Sequence, residues 1–498
     1  MQETIQRFQE TIRKIDAYNH AMGVMQYDFE TAMPRAGAAG YASAMGTLSE
    51  ELYRIQTSEA FKGMVHELLD RKEELDEITR REAEVLGEDM ARMDSVPVQE
   101  FVEYQTELGL ASSAWREAKQ KSDYALFAPH LQKLLDMLRR FARYYAPERD
   151  PYDTLLDTYE KGMTTAELDR FFGDLRAALQ PLVQQVHAHA DRVDDHFLFG
   201  HFPVPQQRAL AETVMEVMGL DRSRCGLGEV EHPFTTNFSK NDVRITTHYH
   251  EESLASSLYS VIHEGGHALY EMHTGDELIG TPLAEGASMG MHESQSRLYE
   301  NLIGRSAGFT RFLFPKVQAL FPEQLKGVTA EAFYRAVNRS APSLIRIDAD
   351  ELTYPFHILI RYELEKRLVA GELSISDLPA EWNRLYKEIL GVTVPDDAHG
   401  VLQDSHWSGG SFGYFPSYAI GSAYGAQILA SMKKDLNVEE LTAAGNLAPI
   451  TAWLADKIYR FGKRKTPAEL LQRACGAAFD PAFYIEYLTK KYTELYAL

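Results

Sequence analysis

The sequence predicts a mainly α-helical protein, organised as one large, two-lobed domain over residues 1–498. Its hydrophobic content of 45% is enough to bury a large core. Apolar residues recur at three- and four-residue steps along most of the chain, which is the period of a helix with one buried face. Glycine and proline mark turns and never form a long flexible linker, so separate domains are not indicated.

The helical pattern is clearest in four stretches. At the N-terminus Ile5, Phe8, Ile12 and Ile15 share one helix face, and similar apolar stripes occupy 131–141 and 168–186. Residues 67–93 interleave acidic and basic side chains at helical spacing, which predicts a helix with a solvated face. Helix is therefore expected from the N-terminus onward.

One stretch departs from this pattern. In PFTTNFSKNDVRITTHYHEE, Val243, Ile245 and Thr247 alternate with Arg244 and Thr246 after a polar turn. Strict alternation predicts an extended strand, and the turn before it predicts a hairpin. We expect this short hairpin to lead directly into the next helix.

Charge and cysteine content exclude several functions and locations. A net charge of -22 disfavours a nucleic-acid partner, which needs clustered Lys and Arg. No apolar run approaches the roughly 18 residues of a membrane span, and the charged N-terminus does not resemble a signal peptide. The two cysteines lack metal or CxxC spacing, which favours a reducing compartment. The sequence predicts a soluble cytoplasmic protein without membrane or nucleic-acid partners.

The stretch VIHEGGHALYE carries the strongest chemical signal. His263 and His267 lie four residues apart on a predicted helix, so both imidazoles can reach one cation. Glu264 lies one residue round the helix, where it can accept a proton from a water beside the metal. The small Gly265 and Gly266 are expected to leave room for a substrate above the metal.

A catalytic zinc needs a third protein ligand and an open fourth position. The downstream candidates are Glu271, His273, Glu285, His292 and Glu293. Glu271 lies on the same helix, too far along its axis to complete a tetrahedron. GMHESQSRLYENLIGR resembles a second helix that brings a carboxylate from outside, so Glu293 is the favoured ligand. His292 is expected to support the site or to contact substrate.

This ligand set predicts hydrolysis at one zinc per chain, for which cobalt can substitute, with Glu264 as general base. An aminopeptidase or an endopeptidase would share the two histidines and Glu293. The aminopeptidase would need an acidic clamp for the substrate amine, and no such motif is visible upstream. A structural zinc would instead need four protein ligands and no Glu264.

Six motifs in order resemble those of the carboxypeptidase Taq family of zinc carboxypeptidases, over most of the chain. They are HPF (His232, Pro233, Phe234), DxRxT (Asp242, Arg244, Thr246), HExxH (263–267), HES (His292, Glu293, Ser294), IRxxAD (Ile345, Arg346, Ala349, Asp350) and GxxQDxHW (Gly400, Gln403, Asp404, His406, Trp407). The segment YDFETAMP also resembles one of the family, with Tyr27 where Trp is usual.

The resemblance implies a neurolysin-like fold with two walls, a deep groove between them and zinc at its floor. It implies a homodimer that removes C-terminal amino acids from peptides with a free C-terminus and broad specificity.

Removing a C-terminal residue requires a group that holds the terminal carboxylate, and a guanidinium does this with two hydrogen bonds. Arg346 is the first candidate and Arg244 the second, although Arg346, with Asp348 and Asp350 close after it, is also consistent with an ordinary ion-paired arginine. The resemblance adds His232 to the substrate-binding residues.

The segment HWSGGSFGYFPSYAIGSAYG mixes aromatic residues with glycine, which predicts a loop that lines the cleft. His406 and Tyr418 are candidate catalytic residues and Tyr414 a candidate substrate contact, because all three can donate hydrogen bonds to a carbonyl oxygen that gains charge.

Overall fold

The computed structural model describes residues 1–498 and confirms the mainly helical fold. The first ten α-helices are α1 (Gln2–Thr31), α2 (Ala38–Gln56), α3 (Glu59–Asp70), α4 (Glu77–Ser95), α5 (Val98–Lys121), α6 (Ala128–Tyr145), α7 (Pro151–Leu156), α8 (Thr165–Ala188), α9 (Val204–Met218) and α10 (Leu254–Met272). The other ten are α11 (Met289–Arg297), α12 (Ala307–Leu320), α13 (Ala330–Val337), α14 (Tyr354–Ala370), α15 (Leu378–Leu385), α16 (Pro416–Asp435), α17 (Val438–Ala443), α18 (Ala448–Lys457), α19 (Pro467–Cys475) and α20 (Ala482–Tyr496). None of the helices is both long and apolar enough to cross a membrane.

A three-stranded sheet lies beside α10. Its strands are β1 (Cys225–Glu229), β2 (Thr235–Ser239) and β3 (Asp242–Thr247), in the order β1-β3-β2. The predicted hairpin is confirmed, since β2 and β3 are antiparallel and adjacent in the chain. The sequence pattern did not reveal β1, which pairs in parallel with β3 and contains two glycines in five residues.

The apolar core has two main parts. One cluster of 104 buried residues runs through most of the chain from Ala111 onward, and α10, α11 and α16 are packed within it. A second cluster of nine buried residues lies among α1 to α4. It contains Phe8, Ile12 and Ile15, which confirms the buried stripe predicted for the first helix.

Residues 67–93 form two helices where the charge pattern predicts one. Helix α3 ends at Asp70, a single 3₁₀ turn follows at Lys72–Glu74, and α4 begins after Asp76. The Asp76 carboxylate accepts hydrogen bonds from the backbone N–H groups of Ile78 and Thr79, both at 3.0 Å. This N-cap satisfies donors that a new helix leaves free, so it starts α4.

The prediction of a cleft-lining loop over 406–425 is wrong for its second half. A loop with a short 3₁₀ turn does extend to Phe415, but residues 416–425 form the buried first half of α16. Pro416 occupies the first turn, where its missing N–H costs nothing. The glycines that resembled a loop instead let α16 approach α11 closely: a Cβ on Gly421 would lie 2.7 Å from Cβ of Glu293.

Gly265 and Gly266 also pack against protein, so the expectation that they make room for substrate is wrong. A Cβ on Gly265 would meet the side chain of Met218 at 2.8 Å. A Cβ on Gly266 would lie 2.7 Å from the carbonyl oxygen of Gln295 and 2.8 Å from Cα of Ser296. The two glycines bring α9 and α11 against α10.

We predict that Gly266→Ala lowers the free energy of unfolding by about 1–3 kcal/mol, because the backbone of α11 cannot move aside as a side chain could. Gly173→Ala in α8 is the matched control, since nothing lies within 4 Å of its added methyl group. Alanine there should stabilise the helix by up to about 1 kcal/mol. Urea unfolding of both variants measures the difference, and equal midpoints would contradict the close packing.

Candidate active site

Three side chains converge on one point between α10 and α11. The Nε2 atoms of His263 and His267 lie 3.8 and 3.6 Å from Oε2 of Glu293. All three donor atoms lie within 4.8 Å of one another. Ligands of a tetrahedral zinc lie about 2 Å from the ion and so roughly 3.3 Å apart. Two imidazoles and one carboxylate at this spacing fit a catalytic metal, which keeps its fourth position open.

Burial and neighbouring charges act differently on the three side chains: burial alone would lower the pKa of His263, but Glu293 and Glu300 raise it. Burial lowers the pKa of His267 to about 3, so this imidazole is neutral at physiological pH and its Nε2 lone pair is free. Burial alone would raise the pKa of Glu293, but the Arg297 guanidinium and the two imidazoles hold it well below its usual range. Glu293 is therefore an anion although it is almost fully buried.

His263 is held in place by a carboxylate, Glu300, that no sequence motif had identified. Its Nδ1–H donates to Oε2 of Glu300 at 2.9 Å. Arg297 and Arg305 donate to the two oxygens of Glu300 at 3.3 and 3.1 Å. Glu300 lies in a π-helical segment, Leu298–Gly304, that continues α11. Such a carboxylate fixes the tautomer and the ring plane of a metal-binding histidine.

His267 is supported by a longer chain of side chains. Its Nδ1 lies 2.6 Å from Nδ1 of His292, and Nε2 of His292 lies 2.6 Å from Oε1 of Glu271. If Nε2 of His267 faces a metal, its Nδ1 carries the proton and donates to His292, which in turn donates to Glu271. Asn237 donates to the other oxygen of Glu271 at 2.9 Å. Of the two roles expected for His292, this geometry favours support of the site.

Glu264 lies beside the converging donors. It is 7% exposed, and the Thr235 hydroxyl donates to its Oε2 at 2.6 Å. Burial raises the pKa of Glu264, opposed by His263 and by this hydrogen bond. A carboxylate with a raised pKa accepts and returns protons more readily near neutral pH.

The aromatic candidates form one cluster. Nε2 of His406 lies 3.1 Å from the Tyr418 hydroxyl, and the Tyr414 and Tyr418 rings lie 5.1 Å apart. Tyr418 precedes Gly421 by three residues on α16, which places it on the helix face that packs against Glu293. Burial lowers the pKa of His406 to about 4, so its imidazole is neutral.

Arg346 lies beside this cluster but is already paired. Its Nε and Nη2 contact Oδ1 of Asp404 at 2.9 and 2.8 Å, and Nη1 donates to Tyr354 at 3.1 Å. Asp404 is shared with the fully buried Arg361. Arg346 is also 5.1 Å from the centre of the Tyr418 ring. Its segment is a short 3₁₀ turn, Arg346–Asp348.

The other two substrate-binding candidates lie apart from these residues. Arg244 alternates with the core residues Val243 and Ile245 on β3, so its side chain is on the face of the sheet away from α10. It is paired with Asp242 at 2.9 Å and lies over the ring of Tyr27. His232 is exposed in the bend before β2.

Comparison with known proteins agrees with this geometry. The family model for carboxypeptidase Taq (M32) metallopeptidases matches residues 7–492. Carboxypeptidase 1 of Bacillus subtilis is 41% identical, covering 99% of this chain and 98% of its own. Thermostable carboxypeptidase 1 of Pyrococcus furiosus is 36% identical, covering 98% of both. The crystal structure of the M32 carboxypeptidase from Deinococcus radiodurans R1 superposes with a TM-score of 0.96 at 36% identity, covering both chains completely.

Fold and relatives together define a metallopeptidase that acts on peptides from the C-terminus, a metallocarboxypeptidase. The chain belongs to the carboxypeptidase Taq (M32) family. The family implies a metal cofactor, and His263, His267 and Glu293 are the residues of this chain that could hold it.

We predict that Glu300→Gln weakens metal binding about 10- to 100-fold, because the amide cannot replace the charge that orients His263. Competition with a chelator, followed by metal analysis of the protein, measures the affinity without an activity assay. Glu331→Gln, at a surface ion pair with Arg311, is the control and should bind metal normally. Unchanged affinity in Glu300→Gln would show that Glu300 has only a structural role.

Proposed function

We propose that this metallocarboxypeptidase uses one zinc ion, held by His263, His267 and Glu293, and that Glu264 is its general base. The convergence of the three donor atoms is the observation that supports this most directly. Their number also favours a catalytic over a structural ion, since a structural zinc takes four protein ligands. Cobalt, with similar ligand preferences, is expected to substitute.

The residues of this chain would then act as follows. Zinc, when bound, polarises the scissile carbonyl and lowers the pKa of a water. Glu264 accepts a proton from the water as the water oxygen bonds to the carbonyl carbon. Glu264 then delivers this proton to the amide nitrogen as the carbon–nitrogen bond breaks, which releases the C-terminal amino acid. Thr235 holds the carboxylate in place for both transfers.

His406 and Tyr418 are proposed to stabilise the carbonyl oxygen as it becomes negative. If the neutral His406 carries its proton on Nε2, it donates to the Tyr418 oxygen, and the phenol hydrogen is free to point at the substrate. The buried Nδ1 of His406 has no hydrogen-bond partner. An unprotonated Nδ1 fits this position better than an Nδ1–H, because a buried donor without a partner is costly. Tyr414, next to Tyr418, is proposed to contact the substrate.

Arg346 remains the first candidate for the substrate carboxylate. Its pairing with Asp404 and Tyr354 uses three of the five guanidinium hydrogens and fixes the plane of the group beside Tyr418. Arg244 is the weaker alternative, because its side chain lies on the face of the sheet away from α10 and is paired with Asp242. His232 is exposed and free of ion pairs, and its proposed contact with substrate rests on the family motif.

Zinc as the bound metal, a cytoplasmic location and a homodimer stay predictions from the sequence.

We predict that Glu264→Gln retains stoichiometric zinc but loses nearly all turnover, because the amide has the same shape and cannot accept the proton. Glu293→Ala should lose zinc together with activity. Metal analysis and turnover of a free-ended peptide, measured on both variants, separate the two roles. Turnover near wild type in Glu264→Gln would show that Glu264 is not the general base. Stoichiometric zinc in Glu293→Ala would show that Glu293 is not a necessary ligand.

We also predict that amidating the C-terminus of a peptide lowers kcat/KM by at least 30-fold, corresponding to about 2 kcal/mol or more, since the charged contact is lost. Arg346→Gln should slow hydrolysis of the free acid and hardly change the slow hydrolysis of the amide. Arg244→Gln is tested in parallel, and thermal melting checks that both variants fold. Equal losses on both substrates would show that the arginine supports the fold only.

A further inference from the structure

The surroundings of His263 and His267 differ chemically. His263 leads through Glu300 and Arg297 to Tyr354, on which Arg297 stacks at 4.4 Å. Tyr354 accepts the hydrogen bond from Arg346, so the proposed carboxylate anchor belongs to the His263 side. With the terminal carboxylate held on the His263 side, the peptide upstream of the scissile bond would extend past His267.

A cavity of about 340 Å³ opens on the His267 side. His292 and Glu271, the two residues that support His267, form part of its lining. The rest of the wall comes from α4, the turn at 157–161, the loop at 285–289 and residues 463–467. The volume is within the range of small-ligand sites. The cavity is therefore placed and sized to take part of the upstream peptide.

Nearly all charged side chains of this wall are paired within the protein. The pairs are Lys161 with Glu88 (2.5 Å), Arg92 with Asp157 (3.2 Å), Lys463 with Glu285, Arg81 with Glu84 (3.3 Å), Lys465 with Glu77 (3.3 Å) and His292 with Glu271 (2.6 Å). A paired charge has less to offer a ligand, because binding would have to replace an existing contact.

Asp89 is the exception. Its carboxylate lines the cavity from α4 and makes no hydrogen bond or ion pair. Arg92, Lys161 and Lys463 are near enough to attract it, but each is engaged with another acid. Asp89 is exposed to solvent, and the protein atoms around its carboxyl raise the pKa of Asp89 more than these cations lower it.

We propose that this cavity is a subsite for the peptide upstream of the scissile bond, and that Asp89 binds a positively charged group of the substrate there. The group is either the side chain of an upstream Lys or Arg or the α-ammonium of a short peptide. A cation would give Asp89 the ion pair that it lacks, and the charge-assisted contact would offset the partial desolvation of the carboxylate. The assignment of this side as the upstream side rests on the proposed function.

The test compares Asp89→Asn with the wild type on a matched peptide series. The peptides share one C-terminal dipeptide and carry Lys or norleucine upstream, each with a free or an acetylated N-terminus. Asp89→Asn should lower kcat/KM about 3- to 10-fold, mainly through KM, for peptides with a cation in the subsite. The acetylated norleucine peptide should be hydrolysed at the wild-type rate. If the acetylated Lys peptide shows the loss, Asp89 binds the Lys side chain. If the norleucine peptide with a free N-terminus shows it, Asp89 binds the α-ammonium group.

Asp94→Asn is the matched control, because it removes the same charge from α4, and neither Asp94 nor its partner Lys62 lines the cavity. Its kcat/KM relative to the wild type should be the same for all four peptides. Equal losses in Asp89→Asn on cationic and neutral peptides, or no loss on any, would overturn the proposal. Failure of the wild type to hydrolyse any free-ended peptide would instead contradict the proposed function, so the two failures are distinguishable.

Discussion

The organisation of the site depends on keeping two buried carboxylates ionised and fixed. Glu293 and Glu300 lie seven residues apart on one continuous helical segment, and each would cost several kcal/mol to bury without a partner. Arg297 lies between them and donates to both. Arg305 completes the pairing of Glu300. This network gives His263 a carboxylate on each side, Glu293 beside its Nε2 and Glu300 beside its Nδ1.

Backbone geometry provides the room for this network. The segment that carries both carboxylates begins as α-helix and widens into a π-helical turn at Leu298–Gly304. Such π-helical turns occur frequently at functional sites. Gly266 and Gly421 let α10 and α16 approach this segment from two sides at distances no larger residue would permit. The metal-ligand geometry is therefore set by helix packing as much as by the ligands themselves.

The two histidines are supported in different ways, so the surroundings of the site differ on its two sides. His263 contacts a carboxylate directly, within a buried ionic network that continues toward Arg346. His267 contacts His292, which reaches Glu271 at the edge of an open, charged cavity. A peptide lying across the metal would thus meet a rigid arginine-containing wall at one end. At the other end it would meet a solvated cavity, in which longer or more varied residues could be accommodated.

The sequence by itself predicted the helical class, the hairpin before α10 and the pair of His263 and His267, since local periodicity and four-residue spacing suffice for these. Glu293 was favoured among five downstream candidates because a second helix could bring its carboxylate from outside α10. The sequence could not reveal Glu300 or the place of His292 and Glu271, because those contacts join residues up to 37 apart that meet only when α10 and α11 pack. Composition also misled about the glycines of two helices. Those of α10 suggested room for substrate and those of α16 suggested a loop. Only the tertiary structure decides whether a missing side chain leaves a gap for substrate or admits a neighbouring helix, because that depends on what lies opposite.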